Sequence, residues 1–470
     1  MNKLSDWGII GLGTIGSNLA INFSRNGFKL SVYNRNLVGI EENVAKNFVK
    51  KNHYLKDVLP FDNLNYFVNS IKKSRKILIL IPSGKPIDEM IKSLLNYISK
   101  DDIIIDGGNS YFKDTERRET FLKRKNINFL GIGISGGTMG ARNGPSIMIG
   151  GSELIYDKVK SDLKKISAVN YLNKYCCDRV GSSSSGHYVK MIHNGIEYVE
   201  MQLIAECYDL MKTEMNFDNY EISKVFDKWI KTSSNSYLLN ITSEILKSKV
   251  KESFIVDNII DKSENKGTGR WAAISGIELG VPNTLMTLAL NSRYISFQKE
   301  TRVKNSNLRK KNKSNVKIST NDLKLVYDFS RIINYYQGFD ILRSASKKYN
   351  WKLNLSNISL VWSSGSILKS DLIILLKEIL KDQTDILNSR IVYKNFISKY
   401  DKIKNVIATI QKSNTPLLLI SNSIIFFELI TQKVGTGNLI QAQRDYFGSH
   451  GLNLKGSNRM LKYNWNKPKS

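Results

Sequence analysis

One short segment near the start limits what this chain can fold into more than any other. The apolar run Trp7-Gly8-Ile9-Ile10 leads directly into Gly11-Leu12-Gly13-Thr14-Ile15-Gly16, and a helical pattern follows from Ser17 to Phe23. The first two glycines of the loop allow a tight turn and a close approach of backbone N–H groups to a pyrophosphate, and Gly16 allows the helix to pack closely on the strand. The segment therefore predicts a βαβ unit that binds a dinucleotide.

The end of the next predicted strand indicates which dinucleotide is bound. Lys29 to Tyr33 is followed by Asn34-Arg35-Asn36, where a site for NAD usually has Asp or Glu to hold the ribose hydroxyls. Asn34 carries no negative charge, and the Arg35 guanidinium can pair with a 2′-phosphate. We therefore expect NADP rather than NAD; the alternative is an ordinary turn that contains an arginine.

Three further apolar segments, each followed by a loop of small residues, extend the predicted parallel sheet. The strands are expected at Lys76 to Ile81, Asp102 to Asp106 and Asn128 to Ile134, and the loops are Pro82-Ser83-Gly84, Gly107-Gly108-Asn109-Ser110 and Ser135-Gly136-Gly137. Ligands bind beyond the carboxyl ends of parallel strands. Several such loops at one edge favour a binding site over tight turns alone.

A narrow polar stripe marks the most informative helix. Lys190, His193, Asn194 and Glu197 stand at i, i+3, i+4 and i+7, and at about 100° per residue they share one face. The rest of the helix is largely apolar, so the stripe is expected to face a buried cleft. The alternative is an exposed face with a Lys–Glu pair.

The remaining chain is mostly helical in pattern to about residue 430. A glycine loop from Asn265 to Trp271 precedes an apolar helix and suits an oxyanion or a phosphate, although a plain helix-entry loop is equally compatible. We expect an α/β N-terminal Rossmann-like domain (1–178), a large all-α domain (179–434), and a C-terminal tail (435–470) that packs on another subunit.

Composition narrows the function classes. The net charge is +28, but Lys is spread along the whole chain, and the most basic stretch, 302–317, contains no aromatic residue; a solvated loop is favoured there and no nucleic-acid partner is expected. No segment approaches about 18 uninterrupted apolar residues, so we expect no membrane span. Three cysteines without metal-ligand spacing indicate a reduced, cytoplasmic protein.

From about Gly8 to His450 the chain resembles the decarboxylating 6-phosphogluconate dehydrogenases, a family of NADP-dependent homodimers. The motifs that carry the resemblance are Ile105 to Ser110, Ser135-Gly136-Gly137, Gly140-Ala141-Arg142, Lys190 to Tyr198, Lys266-Gly267-Thr268-Gly269, and Gln441 to Gly448. The long helix motif and the tail motif are the most specific of these.

The resemblance implies roles for individual residues. It makes Lys190 the general base and Glu197 the general acid of an oxidative decarboxylation that yields ribulose 5-phosphate, CO₂ and NADPH. It adds Ile81, Pro82, Ser83 and Asn109 to the cofactor site. The implied substrate residues are Asn109, Ser135, Gly136, Gly137, His193, Asn194, Tyr198, Lys266, Thr268, Arg293, and, from the partner chain's tail, Arg444 and His450.

Two competing functions remain at this point. The first is a β-hydroxyacid dehydrogenase for a smaller, unphosphorylated acid, which the cationic residues Lys266, Arg293 and Arg444 disfavour. The second is a basic nucleic-acid-binding protein with a vestigial dinucleotide fold, which the Lys190/Glu197 pair disfavours. No carboxylate cluster suited to Mg²⁺ or Mn²⁺ is found, so a metal-free mechanism is expected.

Five residues at three places depart from the family pattern and are expected to affect cofactor affinity and interdomain contacts. They are Pro82, Thr138 with Met139, and Ser363 with Ser364.

Overall fold

The structure is a computed structural model that describes residues 4–264, 267–308, 316–382, 385–457 and 459–465. The N-terminal half holds one eight-stranded sheet in the order β3-β2-β1-β4-β5-β6-β7-β8. All neighbouring strands are parallel except β6 and β7. The strands are β1 Trp7–Ile10, β2 Leu30–Tyr33, β3 Val58–Phe61, β4 Lys76–Ile79, β5 Ile103–Asp106, β6 Asn128–Ser135, β7 Ser146–Gly150 and β8 Cys177–Gly181.

Short helices flank this sheet, and strands β1, β2 and β5 are short runs buried on both sides, whereas the edge strand β3 is partly exposed. The helices are α1 Thr14–Arg25, α2 Val44–Lys51, α3 Leu64–Asn69, α4 Lys85–Leu94, α5 Phe112–Lys123, α6 Gly137–Asn143, α7 Glu153–Asp157 and α8 Lys160–Ile166. The predicted Rossmann-like α/β domain is confirmed. Sequence reasoning did not find β3, β7 or β8.

The second half is helical, as predicted. Its helices are α9 Ser185–Thr213, α10 Asn219–Ile230, α11 Tyr237–Lys247, α12 Thr268–Leu279, α13 Thr284–Phe297, α14 Lys299–Asn305, α15 Thr320–Lys348, α16 Leu355–Trp362, α17 Asp371–Ile379, α18 Arg390–Asn395, α19 Tyr400–Ile410, α20 Leu418–Thr431 and α21 Gly437–Gly448. Short 3₁₀ turns lie at Ile255–Asn258, Ser306–Leu308, Leu380–Asp382 and Ile397–Lys399. Two small hairpins complete the described chain: β9 Lys249–Val250 with β10 Ser253–Phe254, and β11 Leu452–Asn453 with β12 Met460–Leu461.

Helix α9 is 29 residues long and belongs to both halves of the molecule. It packs on β6, β7 and β8 and also against α12, α13, α15 and α20. Glycines allow this close approach: a Cβ at Gly133 would lie 2.3 Å from the Lys190 Cβ, and one at Gly186 would lie 2.3 Å from the Gly131 oxygen. Since β8 runs to Gly181 and α9 begins at Ser185, the expected division at 178/179 falls inside β8.

Two buried glutamates fix α9 to the helices around it. Glu200 pairs with Arg331 of α15 at 2.8 Å between Oε2 and Nε, and both side chains are almost fully buried. Glu206 accepts hydrogen bonds from the backbone N–H groups of Leu419 and Ile420, at the start of α20. The first N–H groups of a helix have no acceptor within the helix, and the Glu206 carboxyl supplies one for these two.

The tail folds around a single buried carboxylate. Asp445 accepts hydrogen bonds from the backbone N–H of Gly451 (2.7 Å), from that of Tyr463 (3.1 Å) and from the Trp465 indole (2.9 Å). Outside this contact, α21 exposes large apolar side chains: Leu439, Ile440, Tyr446 and Phe447. In the described ranges, no helix is both long and apolar enough to cross a bilayer.

Candidate active site

The glycine loop after β1 leaves the start of α1 open, as the sequence predicts. Gly11 has φ +94°, and a Cβ at Gly16 would lie 1.9 Å from the Gly11 oxygen, so both positions require glycine. A Cβ at Gly13 would meet nothing within 4 Å. Backbone N–H groups at the start of α1, around Thr14 and Ile15, therefore border free space into which a pyrophosphate fits.

The residues after β2 form a small polar cluster beside this loop. Asn34 Oδ1 accepts the Leu12 N–H at 3.1 Å, which ties the two loops together. The exposed Arg35 is held by Glu41, with Nε–Oε2 at 3.1 Å and Nη2–Oε1 at 3.2 Å. This hydrogen bond with Arg35 lowers the pKa of the Glu41 carboxyl despite some desolvation. The sequence analysis missed Glu41, which is six residues from Arg35 and follows an irregular turn.

The remaining proposed cofactor residues also lie at this edge of the sheet. A Cβ at Gly11 would lie 2.7 Å from the Ile81 side chain, so Ile81 borders the glycine loop. Pro82, Ser83 and Asn109 are exposed in the loops after β4 and β5. Asn36 lies slightly apart, where its Oδ1 accepts the Asn43 N–H at 3.2 Å.

Lys190 is a buried lysine in the first turns of α9. Its stem lies against Gly133 of β6, and its Nζ is 3.4 Å from Nδ1 of His193. Burial lowers the pKa of Lys190 to about 8, and the nearby Glu197 carboxylate opposes this shift. A large fraction of the amine is therefore neutral in mildly alkaline water.

His193 lies at the centre of the site. Its Nε2 is 3.0 Å from the Ser135 hydroxyl and 2.7 Å from the Ser366 hydroxyl, while its Nδ1 is 3.6 Å from Glu197 Oε2. The Trp362 ring meets the imidazole edge-on at 5.4 Å between ring centroids. Burial, and then the charge of Lys190, hold the pKa of His193 well below its usual value, so the ring is neutral.

Glu197 and Arg293 form the outer side of the same cleft. Burial raises the pKa of Glu197, although the charges of Lys190 and Arg293 act in the opposite direction. The Arg293 guanidinium stacks on the Tyr198 ring with 3.5 Å between its carbon and the ring centroid. This stacking and the bonds to the Glu264 carbonyl (2.8 Å) and the Met201 sulfur (3.4 Å) hold a cation whose charge acts on Glu197.

The loop before α12 contributes one of its two predicted phosphate residues. Thr268 begins α12, and its hydroxyl accepts the Asn194 side-chain N–H at 3.0 Å. Gly269 touches the Tyr198 ring so closely that a Cβ there would lie 2.4 Å from it. Lys266 lies outside the described residues.

The loop after β6 packs against the segment around Gly365 beside the site. Gly136 and Gly137 both have positive φ, at +113° and +59°, and a Cβ at Gly136 would lie 2.4 Å from the Gly365 oxygen. This contact brings the segment that contains Ser366 against Ser135. Ser366 and Trp362 were not singled out as site residues from sequence, because they lie more than 160 residues after His193 and show no periodic signal.

Two of the proposed substrate residues do not join the others within one chain. Arg444 donates to Gln441 of its own helix at 3.3 Å, and the His450 ring lies against Phe447. Among the described residues, no hydrogen bond, ion pair or ring contact links either of them to α9, α12 or α13. In the same part of the chain, no group of three or more His, Cys, Asp or Glu side chains could hold a metal ion.

A Rossmann-like sheet with an open glycine loop, joined to a helix that carries a buried lysine and a partly buried glutamate, defines a nucleotide-dependent dehydrogenase. Two family models cover nearly the whole chain. Residues 6–181 match the "NAD binding domain of 6-phosphogluconate dehydrogenase" and residues 186–465 match the "6-phosphogluconate dehydrogenase, C-terminal domain". The chain belongs to the 6-phosphogluconate dehydrogenase family.

Individual relatives agree over their full length. The chain is 38% identical to the decarboxylating 6-phosphogluconate dehydrogenase of Buchnera aphidicola, with 97% of this chain and 98% of that protein covered. It is 37% identical to the enzyme of the same name from Escherichia coli, covering 94% and 95%. The solved Plasmodium falciparum 6-phosphogluconate dehydrogenase, studied in its apo form and with its cofactor NADP⁺ and its substrate 6-phosphogluconate, superposes with a TM-score of 0.92 at 37% identity, covering 98% and 100%.

Proposed function

We propose that this protein oxidises and decarboxylates 6-phosphogluconate to ribulose 5-phosphate and CO₂ while reducing NADP to NADPH. One observation carries the proposal: Lys190, a buried lysine with a lowered pKa, and Glu197, a partly buried glutamate with a raised pKa, share one face of α9, and the Lys190 stem lies against Gly133 of β6. Family membership over both halves of the chain supports the same reaction.

The cofactor site fits NADP. Gly13 and the start of α1 leave room for the pyrophosphate, and Arg35 and Asn34 lie where the adenosine ribose of a Rossmann ligand ends. When bound, NADP accepts a hydride from C3 of the sugar acid. Asn34, Arg35 and Asn36 would hold the adenosine end, and Ile81, Pro82, Ser83 and Asn109 would border the nicotinamide end.

Lys190 starts the reaction as a general base. The neutral amine takes the proton of the C3 hydroxyl as the hydride leaves C3, which produces a 3-keto acid. Desolvation favours the neutral form, so little free energy is needed to deprotonate the lysine before each turnover. His193 and Ser135 would orient the hydroxyl that loses its proton.

Lys190 and Glu197 then assist the loss of CO₂. The bond from C2 to the carboxylate breaks because its electrons flow into the C3 ketone, and the protonated Lys190 polarises that ketone as the enediol forms. Glu197, whose pKa is raised by burial, then donates a proton to the former C2 of the sugar acid, which becomes C1 of ribulose 5-phosphate.

Cationic and polar residues at the cleft match a phosphorylated sugar acid. We assign Asn109, Ser135, Gly136, Gly137, His193 and Asn194 to the sugar acid itself. The phosphate would meet Tyr198, Thr268 and Arg293, together with Lys266. Arg293 supports this assignment because stacking on Tyr198 holds its guanidinium in place before any anion arrives.

We also propose that the protein is a cytoplasmic homodimer in which the tail, 435–470, completes the partner's site. Three buried, unpaired cysteines fit a reducing compartment. The exposed apolar face of α21 needs a covering surface, and Arg444 and His450 have no hydrogen bond, ion pair or ring contact to α9, α12 or α13 among the residues that the structure describes. The cofactor domain, helical domain and tail expected from the sequence would then bind NADP, hold the substrate and join the subunits.

The decisive experiment supplies purified protein with 6-phosphogluconate and NADP and follows CO₂ and NADPH together. We expect the two products in equal amounts, and no turnover of 3-hydroxyisobutyrate under the same conditions. NADPH without CO₂, or turnover of the small acid alone, would contradict the proposal.

A further inference from the structure

Ser366 contacts the central histidine although it lies on a distant segment. It is buried in the loop between α16 and α17, with its Oγ 2.7 Å from His193 Nε2. The backbone N–H of Leu368 donates to the same Oγ at 3.0 Å. Because that oxygen already accepts one hydrogen bond, its own proton is free to point at the ring nitrogen.

The other ring nitrogen faces acceptors. Asn194 Oδ1 lies 3.3 Å from His193 Nδ1, and Glu197 Oε2 lies 3.6 Å from it. The Asn194 side chain is oriented by its N–H, which donates to the Thr268 hydroxyl at 3.0 Å. A donor at Nε2 and acceptors at Nδ1 both favour the tautomer with its proton on Nδ1.

We propose that Ser366 is a positioning residue that fixes His193 as the Nδ1–H tautomer, so that a ring N–H faces the amine of Lys190. The 3.4 Å between Nζ and Nδ1 is short enough for this N–H to meet the lone pair of a neutral amine. An ammonium at the same place would find no acceptor on the ring. The inference rests on the proposed role of Lys190 as base and concerns the enzyme without substrate: the ring N–H keeps the amine neutral until the substrate hydroxyl takes its place at the lone pair.

The arrangement also leaves Ser135 free. Its hydroxyl is 3.0 Å from the same Nε2, and the Ile367 N–H approaches it at 3.4 Å. Since one lone pair on Nε2 accepts one good hydrogen bond, the shorter contact from Ser366 takes it. The Ser135 hydroxyl is then available to bind a substrate oxygen.

The charged groups around the pair are few. Glu197 on α9 faces Lys190, and Arg293 on α13 faces Glu197. Within the described residues, β6 and the Gly365–Leu368 segment hydrogen-bond to the imidazole through the Ser135 and Ser366 hydroxyls, which carry no charge. The tautomer of His193 is therefore a strong local influence on the charge state of Lys190.

Nitrogen-15 NMR of histidine-labelled protein without substrate tests the tautomer directly. The chain has four histidines, so His193 can be assigned by comparison with a His193→Asn spectrum. We expect a protonated Nδ1 and an unprotonated Nε2 in the wild type, and a shift toward Nε2–H in Ser366→Ala. Ser359→Ala is the matched control, because this buried hydroxyl bonds only its own helix, at the Leu355 carbonyl. A wild-type ring protonated on Nε2, or an unchanged tautomer in Ser366→Ala, would overturn the proposal.

The pH dependence of kcat provides a second readout. With the proton moved to Nε2, Nδ1 would accept a hydrogen bond from the Lys190 ammonium, and the rising limb of the profile should move up by about one pH unit. KM for 6-phosphogluconate should change less than about twofold, because Ser366 is not proposed to contact the substrate. Ser366→Cys, with a weaker donor, should restore part of the shift. An unmoved limb contradicts the proposal, whereas absence of any wild-type turnover would contradict the proposed function and leave the NMR result standing.

Discussion

At the scale of single residues, Lys190 and Glu197 have pKa values shifted by burial in opposite directions. Removal from water favours the neutral amine of the lysine and the neutral carboxylic acid of the glutamate. Burial therefore weakens the tendency of the two groups to form a permanent ion pair, and it shifts each of them toward the protonation state that its proposed role requires.

Replacing the base tests this arrangement. Lys190→Met keeps the stem that packs on Gly133 but has no amine, so kcat should fall by about 10³-fold while 6-phosphogluconate still binds. NADPH formation measures the first effect and calorimetric titration with substrate the second. Lys212→Ala, at the far end of the same helix, should retain activity. Turnover within tenfold of wild type in Lys190→Met would show that another group takes the proton.

A second prediction concerns the cofactor. Arg35→Ala should raise KM for NADP by about 30-fold and KM for NAD hardly at all, because only NADP presents a 2′-phosphate to the guanidinium. Steady-state kinetics with both nucleotides gives the ratio. Arg25→Ala, an exposed arginine at the end of α1, is the control. An equal rise in KM for NADP and for NAD would contradict the proposed contact between Arg35 and the 2′-phosphate.

At the scale of elements, the periodicity of α9 predicted the polar face, because Lys190, His193, Asn194 and Glu197 stand on consecutive turns. The glycine loop predicted β1 and α1 for a similar local reason. Ser366, Trp362 and Glu41 could not be predicted, since their positions depend on how distant segments pack. Strands β7 and β8 were missed because no repeating pattern separates them from the loops around them.

The contact between α9 and α20 makes a prediction for stability. Burial raises the pKa of Glu206 to about 7, so the folded protein keeps a proton that the unfolded chain loses above its ordinary pKa. The free energy of unfolding should therefore fall between about pH 4.5 and pH 7, by up to about 3 kcal/mol. Glu206→Gln, which still offers an oxygen to Leu419 and Ile420, should lose less stability over this window.

Urea denaturation at several pH values measures the difference. Glu214→Gln is the control, because this residue, at the end of the same helix, also accepts a backbone N–H, from Asn414, and is less deeply buried than Glu206. If the free energy of unfolding depends on pH equally in Glu206→Gln and in the wild type, the protonation of Glu206 does not cause the loss of stability.

At the scale of the whole molecule, the proposed dimer allows a complementation experiment. Lys190→Met and Arg444→Ala should each be nearly inactive alone. If the tail serves the partner, a mixed dimer contains one site with both an intact Lys190 and an intact Arg444, so equal mixing with subunit exchange should restore about a quarter of the wild-type activity. Lys455→Ala, also in the tail, should be fully active alone. No rescue on mixing would show that Arg444 acts in its own chain or not at all.

The helix shared by the two halves has a consequence for how this architecture can be recombined. Met148 of β7 belongs to the same apolar core as α9 and the helices beyond it, and the Trp362 indole lies on its sulfur. A fragment that stops at Gly181 would expose the face of the sheet that packs on α9 to solvent. The nucleotide-binding half therefore cannot be exchanged by itself. A chimera that replaces it must also replace α9, and α9 carries Lys190 and Glu197, the proposed base and acid.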